Sequence, residues 1–202
     1  MKPAVPLPPA ELAVQFGGGD FVRIGRDLLA LCREWGGLGP DAAVLDVGSG
    51  AGRLAVALCD FLDETGRYEG FDIYPPGIEW CRQAITPLFP RFQFRLVDVY
   101  NRLYYPYGTV EAANFVFPYP DDHFDFVILN SVFTHMRPAD VANYLTQVHR
   151  VLRPGGTCFC TFFLLDEPTW ALIAAGRAVW RFGHAFGVFH VEDLEDPEEA
   201  VA

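Results

Sequence analysis

Lysine is almost absent from this sequence, in which Lys2 is the single example among 202 residues. A phosphate-binding GxxxxGK loop, a Schiff-base lysine and the ion pair of a kinase each require a lysine at a fixed place in a motif. Lys2 stands in no such motif. The sequence therefore excludes these three kinds of site.

Basic residues are also outnumbered, since 15 Lys and Arg stand against 26 Asp and Glu, for a formal net charge of -11. The acidic residues are densest within residues 192–199. A protein that binds the phosphate backbone of a nucleic acid needs a clustered basic face. The charge balance argues against a nucleic-acid partner.

The sequence also lacks a CxxC motif, since none of its five cysteines stand at that spacing. We interpret them as small buried hydrophobic residues in a reducing compartment. The sequence has no apolar run near the roughly 20 residues of a membrane span and no pattern typical of an export signal. We expect a soluble cytoplasmic protein with no metal ion and no membrane partner.

The most informative stretch is residues 44–53, which spell Val-Leu-Asp-Val-Gly-Ser-Gly-Ala-Gly-Arg. Its pattern predicts a strand that ends near Asp46, then a glycine turn, then a helix. This arrangement brings backbone N–H groups against a nucleotide-like ligand. A dinucleotide fingerprint would place a further glycine where Arg53 stands, so the spacing disfavours that ligand. The small residues of the turn are Gly48, Ser49, Gly50 and Gly52.

An acid follows the second predicted strand, residues 67–72. Asp72 lies 24 positions after Gly48, close to where nucleotide-binding α/β folds place a carboxylate that binds both ribose hydroxyls. Ile73 beside it supplies an apolar wall for an adenine ring. The alternative is an ordinary loop aspartate.

Residues 92–97 alternate as a third strand and are followed by Asp98 and Val99. The fourth strand, residues 124–129, leads into a segment that contains Asn130, Ser131 and His135. An imidazole titrates near neutral pH and suits proton removal from a hydroxyl, so His135 is the candidate base. Alternatively, His135 caps the following helix or bonds a backbone carbonyl.

The remaining segments surround this predicted core. Residues 1–40 form a helical arm. It has a helix at 11–16, which glycines 17–19 end, and a second helix that Asp20 caps and that runs to Trp35. The arm is either a lid over the substrate or a cover for the sheet edge. The aromatic-rich residues 100–122 either build a pocket or cover the core.

A helix begins at Pro138, and residues 154–156 end it. A fifth strand follows at 157–165. It is continuously apolar, as a strand covered on both faces would be. A helix at 167–182 and an acidic tail at 183–202 follow. An uncovered apolar edge strand would favour self-association, so we expect either a homodimer or a covering helix.

Five motifs in order give the sequence a specific resemblance. They are Leu45 to Gly52, Phe71-Asp72, Val97-Asp98, Phe124 to Val127 and Leu152 to Gly156. Together they resemble the class I S-adenosylmethionine (SAM)-dependent methyltransferases, and in particular the bacterial small-molecule type with a Ser-Val-Phe-Thr-His-Met segment after the fourth strand.

The resemblance implies an α/β, Rossmann-like, doubly wound and mostly parallel sheet with its core in residues 41–182. Five strands are evident, and the sixth and seventh strands of that class are not. Asp46 would hold the ammonium group of SAM, and the glycine turn would surround its aminocarboxypropyl part. Asp98 would accept from the adenine amine, Val99 would pack on the ring, and Asn130 and Ser131 would border the transferred methyl.

The implied reaction moves a methyl group from SAM to a small-molecule acceptor, with a hydroxyl favoured, and releases S-adenosylhomocysteine (SAH). Base methylation of nucleic acids is disfavoured, because the segment after the fourth strand lacks the paired prolines of those enzymes. The alternatives are a SAM-binding protein without catalysis or with a regulatory role, a dehydrogenase, and a purely structural domain.

Overall fold

The structure, a computed structural model, describes residues 3–16 and 18–202. Its elements in chain order are α1 Ala10–Val14, α2 Phe21–Glu34, β1 Ala43–Val47, α3 Arg53–Phe61, β2 Arg67–Asp72, α4 Pro75–Ala84, β3 Phe92–Leu96, β4 Phe124–Leu129, α5 Pro138–Val151, β5 Leu152–Cys160, α6 Glu167–Ala174, β6 His184–Phe186 and β7 Phe189–Val191.

Five parallel strands form one sheet in the order β3-β2-β1-β4-β5. Val47 pairs with Phe71 and Asp72 pairs with Leu96, so the first three strands end at the same edge. The strand order reverses direction at β1, as in other doubly wound folds. The predicted α/β Rossmann-like fold is confirmed, and this edge is where such folds bind ligands.

Each face of the sheet has its own hydrophobic core. On one face, residues of α2, α3 and α4 pack together, among them Leu28, Leu54 and Ile78. On the other face, α5 packs with the end of the aromatic-rich segment, where Phe117 and Tyr119 are buried. These two rings cover the core, as one of the two interpretations of the segment expected.

The aromatic segment is held to α5 by Arg150. Its guanidinium donates to the carbonyl oxygens of Phe117 and Tyr119, each at 2.8 Å, and to the Gln147 amide oxygen and the Asp121 carboxylate. Backbone carbonyls in a loop lack the partners that a strand or helix would give them. Arg150 therefore supplies the donor for the Tyr119 carbonyl and a second donor for the Phe117 carbonyl, which also accepts from the Tyr119 N–H.

We expect Arg150→Ala to lower the free energy of unfolding by about 1–3 kcal/mol, because the buried Tyr119 carbonyl oxygen loses its donor, whereas the Phe117 carbonyl keeps the Tyr119 N–H. Urea unfolding at neutral pH measures this change. Arg153→Ala is the matched control: Arg153 pairs with Asp125, and both side chains are about two-fifths exposed. That loss should stay below about 1 kcal/mol. Equal losses in the two variants would contradict the role of Arg150.

The fifth strand differs from its prediction. It begins at Leu152, so Pro154, Gly155 and Gly156 lie inside it, and it ends at Cys160. A register irregularity between Phe124 and Phe126 accommodates these residues opposite β4. The strand is an edge strand, and its residues are half-buried or exposed. Both faces are covered only in part, since Phe159 packs against one core and Cys158 and Cys160 pack against the other.

The segments after β5 also differ from expectation. The helix predicted at 167–182 ends at Ala174, and Gly176 follows with a φ of +67°. The tail 183–202 contains an antiparallel hairpin, β6 and β7, which is separate from the main sheet. Further strands therefore exist, although the main sheet has five.

The arm before the sheet is close to its prediction. Asp20 caps α2, and its carboxylate accepts a hydrogen bond from the backbone N–H of Arg23. The shorter helix α1 occupies Ala10–Val14, and Gly17 of the predicted stop lies outside the described residues. In the described part of the chain, no helix is both long and apolar enough to cross a bilayer.

Candidate functional site

The turn after β1 is a crowded piece of backbone. Gly48, Gly50 and Gly52 have φ values of +78°, +54° and +76°, which L-residues with side chains rarely adopt. A Cβ atom on Gly50 would lie 2.8 Å from the Phe16 ring, and one on Gly48 would lie 2.5 Å from the Val132 side chain. Glycine is thus required by both conformation and space. Phe16 of the arm and Val132 after β4 border the turn on its two sides.

Asp72 connects the end of β2 to this turn. One of its carboxylate oxygens accepts from the Gly50 N–H at 2.7 Å, and the other accepts from the Tyr74 N–H at 2.8 Å. Burial raises the pKa of Asp72, and these backbone hydrogen bonds oppose the rise. A carboxylate has about four lone-pair positions, so these two hydrogen bonds do not exhaust its capacity to accept from a diol. The structure places Asp72 and the turn together, as the sequence predicted.

Asp46 lies in β1 and is 5% exposed. Its carboxylate accepts from the Tyr68 hydroxyl at 2.7 Å. Burial raises the pKa of Asp46 from 3.8 to about 7, although the Tyr68 hydrogen bond favours the ionised form and opposes that rise. Asp46 therefore exchanges a proton in the neutral range, and a cation at this edge would favour its ionised form.

This shift makes folding stability depend on pH. Between pH 4 and 7, folded Asp46 holds a proton that the unfolded chain has lost, so the free energy of unfolding falls as pH rises. The slope from this group is at most about 1.4 kcal/mol per pH unit. Asp46→Asn does not titrate, so the stability of the wild type relative to this variant should decrease from pH 4.5 to 7.5 and then level off. Urea unfolding at each pH measures it, and a constant difference would refute the assignment.

Asp98, Val99 and Ile73 lie at the ends of β2 and β3. The Asp98 side chain is exposed and accepts from the backbone N–H and the hydroxyl of Thr109. Val99 is buried in the second core and pairs with Val110. Ile73 is half-buried against the same core. Of the three, Ile73 and Asp98 keep exposed surface at the sheet edge, whereas Val99 is a core residue.

Asn130 and Ser131 follow β4 at the same edge. Asn130 is half-buried and Ser131 is exposed. Ser131 has a φ of +56°, and its N–H donates to the Thr161 hydroxyl after β5 at 2.8 Å. A left-handed conformation at a residue other than glycine is uncommon and is concentrated at functional sites. The hydrogen bond to Thr161 helps to hold it.

His135 ends the helical turn after β4. Its Nδ1 lies 2.8 Å from the backbone carbonyl oxygen of Glu198, and its ring packs edge-to-face on Tyr104 with centroids 5.3 Å apart. Burial raises the pKa of Tyr104, and the negative charge of Asp72 raises it further, so Tyr104 lies within electrostatic range of the ribose candidate. The alternative that His135 bonds a backbone carbonyl is thus observed, although the sequence identified neither Glu198 nor Tyr104 as a partner.

A bound SAM is compatible with the residues at this edge. The Ser49 hydroxyl, in the middle of the turn, is buried and has no hydrogen-bond partner. Gly48, the one exposed glycine of the turn, presents backbone without a side chain. An unpartnered buried hydroxyl costs free energy that a ligand could recover. Within residues 3–16 and 18–202, no group of three His, Cys, Asp or Glu side chains is arranged to hold a metal ion.

The parallel sheet, the glycine turn and the strand-end acids define the class I SAM-dependent methyltransferase fold. A family model described as a methyltransferase domain matches residues 45–160. The chain belongs to the methyltransferase domain family.

Known proteins resemble the chain over much of its length. It is 26% identical over 146 residues to the demethylmenaquinone methyltransferase of Lysinibacillus sphaericus, a match that covers 71% of this chain and 51% of that protein. It is also 26% identical over 137 residues to the 2-phytyl-1,4-naphtoquinone methyltransferase of a Nostoc species, covering 67% and 53%. The PH0226 protein of Pyrococcus horikoshii has a similar fold, with a TM-score of 0.55, 21% identity, and coverage of 86% and 66%. The chain spans about half the length of the curated relatives it matches.

Proposed function

We propose that this chain binds SAM at the carboxyl edge of its sheet and transfers the methyl group to a small molecule of the quinone type, in its reduced, hydroxyl-bearing form. The main observation in support is the direct contact between the Asp72 carboxylate and the Gly50 N–H within a chain of the methyltransferase family. The names of the two curated relatives suggest the acceptor class.

Bound SAM would supply a methyl group on a positively charged sulfur, which is already a good leaving group. The chain must then hold two reactants close together and exclude water. We assign ribose binding to Asp72, contact with the aminocarboxypropyl part to the turn around Ser49, and the ammonium group to Asp46. We assign Ile73 and Asp98 to the adenine, whereas Val99 is 2% exposed and is assigned no contact with the ring.

A hydroxyl acceptor also needs to lose a proton. We assign this step to His135, which lies in the segment after β4, five residues after the half-buried Asn130. Proton removal makes the hydroxyl oxygen, and the ring carbon ortho to the C–OH group, more nucleophilic, and bound SAM would supply the methyl group to one of these two atoms. After methylation at oxygen, the hydroxyl proton is the one that leaves through the imidazole; after methylation at carbon, that ring carbon loses its own proton and the hydroxyl group is restored, so one proton leaves in either case.

Isothermal titration of the purified protein with SAH and, separately, with NAD tests the cofactor assignment. We expect SAH to bind and NAD not to bind. Failure of SAH to bind would refute the whole proposal, and NAD binding alone would favour the dehydrogenase interpretation.

A second experiment supplies methyl-labelled SAM with a 2-alkyl-1,4-naphthohydroquinone under reducing conditions and follows the label by chromatography. We expect a labelled product, whose NMR spectrum tells oxygen methylation from carbon methylation. SAH binding without transfer to this probe or to a panel of phenols would refute the enzymatic proposal and favour a SAM-binding protein without catalysis.

A further inference from the structure

The segment of residues 196–202 lies against the loop that contains His135. The Val201 N–H donates to the carbonyl oxygen of Thr134, the residue before His135, at 2.8 Å. Ala200 is fully buried and Val201 is 5% exposed. The segment is therefore packed against the candidate site.

The same segment is secured on its other side by the β6–β7 hairpin. Val201 pairs with Val191, and Ala202 exchanges two backbone hydrogen bonds with His190, at 2.8 and 2.9 Å. The Glu198 carboxylate accepts from the Arg102 N–H at 3.1 Å. The backbone contacts of Val201 and Ala202 place the Glu198 carbonyl at a defined position next to the imidazole.

In this contact, only one of the two groups can be the hydrogen-bond donor. A backbone carbonyl oxygen only accepts hydrogen bonds, so the 2.8 Å contact to Nδ1 of His135 requires a hydrogen on that nitrogen. A neutral imidazole has one N–H, and Nε2 is then left with its lone pair. The hydrogen bond made by one ring nitrogen thus determines the role of the other.

We propose that the Glu198 backbone carbonyl is a positioning group for methyl transfer, which holds His135 in the Nδ1–H tautomer and so makes Nε2 the proton acceptor. This inference rests on the proposed function, because it assumes that His135 is the base. It gives residues 196–202 a role in the active site, whereas the sequence indicated only an acidic tail.

The groups around His135 come from three places in the chain. The Tyr104 ring packs on the imidazole, the Glu198 carboxylate faces the N–H of Arg102, and the Arg137 guanidinium lies 3.9 Å from that carboxylate. The Glu198 carboxylate thus has its own partners, and the carbonyl contact to Nδ1 does not depend on them. The side chain and the carbonyl of Glu198 can therefore be tested separately.

The test is the tautomer of His135, measured by long-range ¹H–¹⁵N NMR at pH 8 on the full chain, with His135→Gln used to assign its signals. We expect a protonated Nδ1 and an unprotonated Nε2 in the wild type. Ala200→Asp places a charge at a fully buried position and should release the segment, so that both tautomers become populated. Deletion of residues 197–202 removes the carbonyl itself and serves as a second variant.

Glu198→Ala is the matched control, because it removes the carboxylate and retains the carbonyl. It should keep the Nδ1–H tautomer. With a naphthohydroquinone that the wild type methylates, Ala200→Asp should lower kcat at least tenfold while SAH affinity stays within twofold; SAH binding also shows that the variant is folded.

An Nε2–H tautomer in the wild type, or an unchanged tautomer after both Ala200→Asp and the deletion, would overturn the inference. An unchanged kcat in a variant whose tautomer has changed would overturn it as well. The NMR result needs no acceptor, so a failure of the proposed function is distinguished from a failure of this inference.

Discussion

Replacing Asp72 with asparagine is expected to weaken SAH binding at least about 100-fold, because hydrogen bonds to a charged group contribute about 1.5–3 kcal/mol each and a ribose diol makes two. Asparagine has nearly the same shape, and its one amide oxygen can still accept from the Gly50 N–H, although its NH2 group loses the hydrogen bond from the Tyr74 N–H. The turn should therefore persist. Isothermal titration with SAH measures the effect.

Glu79→Gln controls for the change of charge. Glu79 is an exposed residue of α4, its carboxylate bonds the Gln83 side chain, and it lies one element after Asp72. This variant should bind SAH as the wild type does. SAH affinity within threefold of wild type in a folded Asp72→Asn variant would remove Asp72 from ribose binding.

Replacing His135 with glutamine is expected to slow methyl transfer to a hydroxyl-bearing acceptor by roughly 100-fold or more, the usual range for loss of a general base. The glutamine amide can still donate to the Glu198 carbonyl, so the neighbouring segment should stay in place. SAH affinity should not change, because His135 is assigned to the acceptor. Single-turnover assays with labelled SAM separate the transfer step from binding.

His149→Gln is the control for this variant. His149 is an exposed residue of α5 and has no role in the proposed site. It should transfer methyl at the wild-type rate. Full activity of His135→Gln would remove His135 from catalysis, and the carbonyl contact of its Nδ1 would then be purely structural.

The sequence predicted the sheet well where local patterns were strong. The strand Phe124–Leu129 was predicted with its observed bounds, and Asp20 was predicted as the cap of α2. Buried parallel strands consist of short apolar runs, and helix caps need particular side chains, so both signals are local. The glycines of the turn are also a local signal, because their spacing follows the backbone conformation of the turn itself.

The errors arose where tertiary contacts override local preference. Pro154 and two glycines predict a loop, yet they lie inside β5 as a bulge, since the register with β4 goes from Leu152 directly to Thr157 and an edge strand tolerates a proline at a bulge. The strands of the hairpin, His184–Phe186 and Phe189–Val191, have three residues each, too few for a periodic pattern. The contact between His135 and Glu198 joins residues 63 positions apart, which no local pattern encodes.

Ser131 gives the site a constraint on substitution that is independent of any ligand. Its φ of +56° disfavours side chains in general by about 1–2 kcal/mol, with glycine, asparagine and aspartate the usual exceptions. β-Branched residues fit this conformation worst. Among folded members of a saturation library at position 131, glycine and asparagine should therefore be enriched, and valine and isoleucine should be depleted.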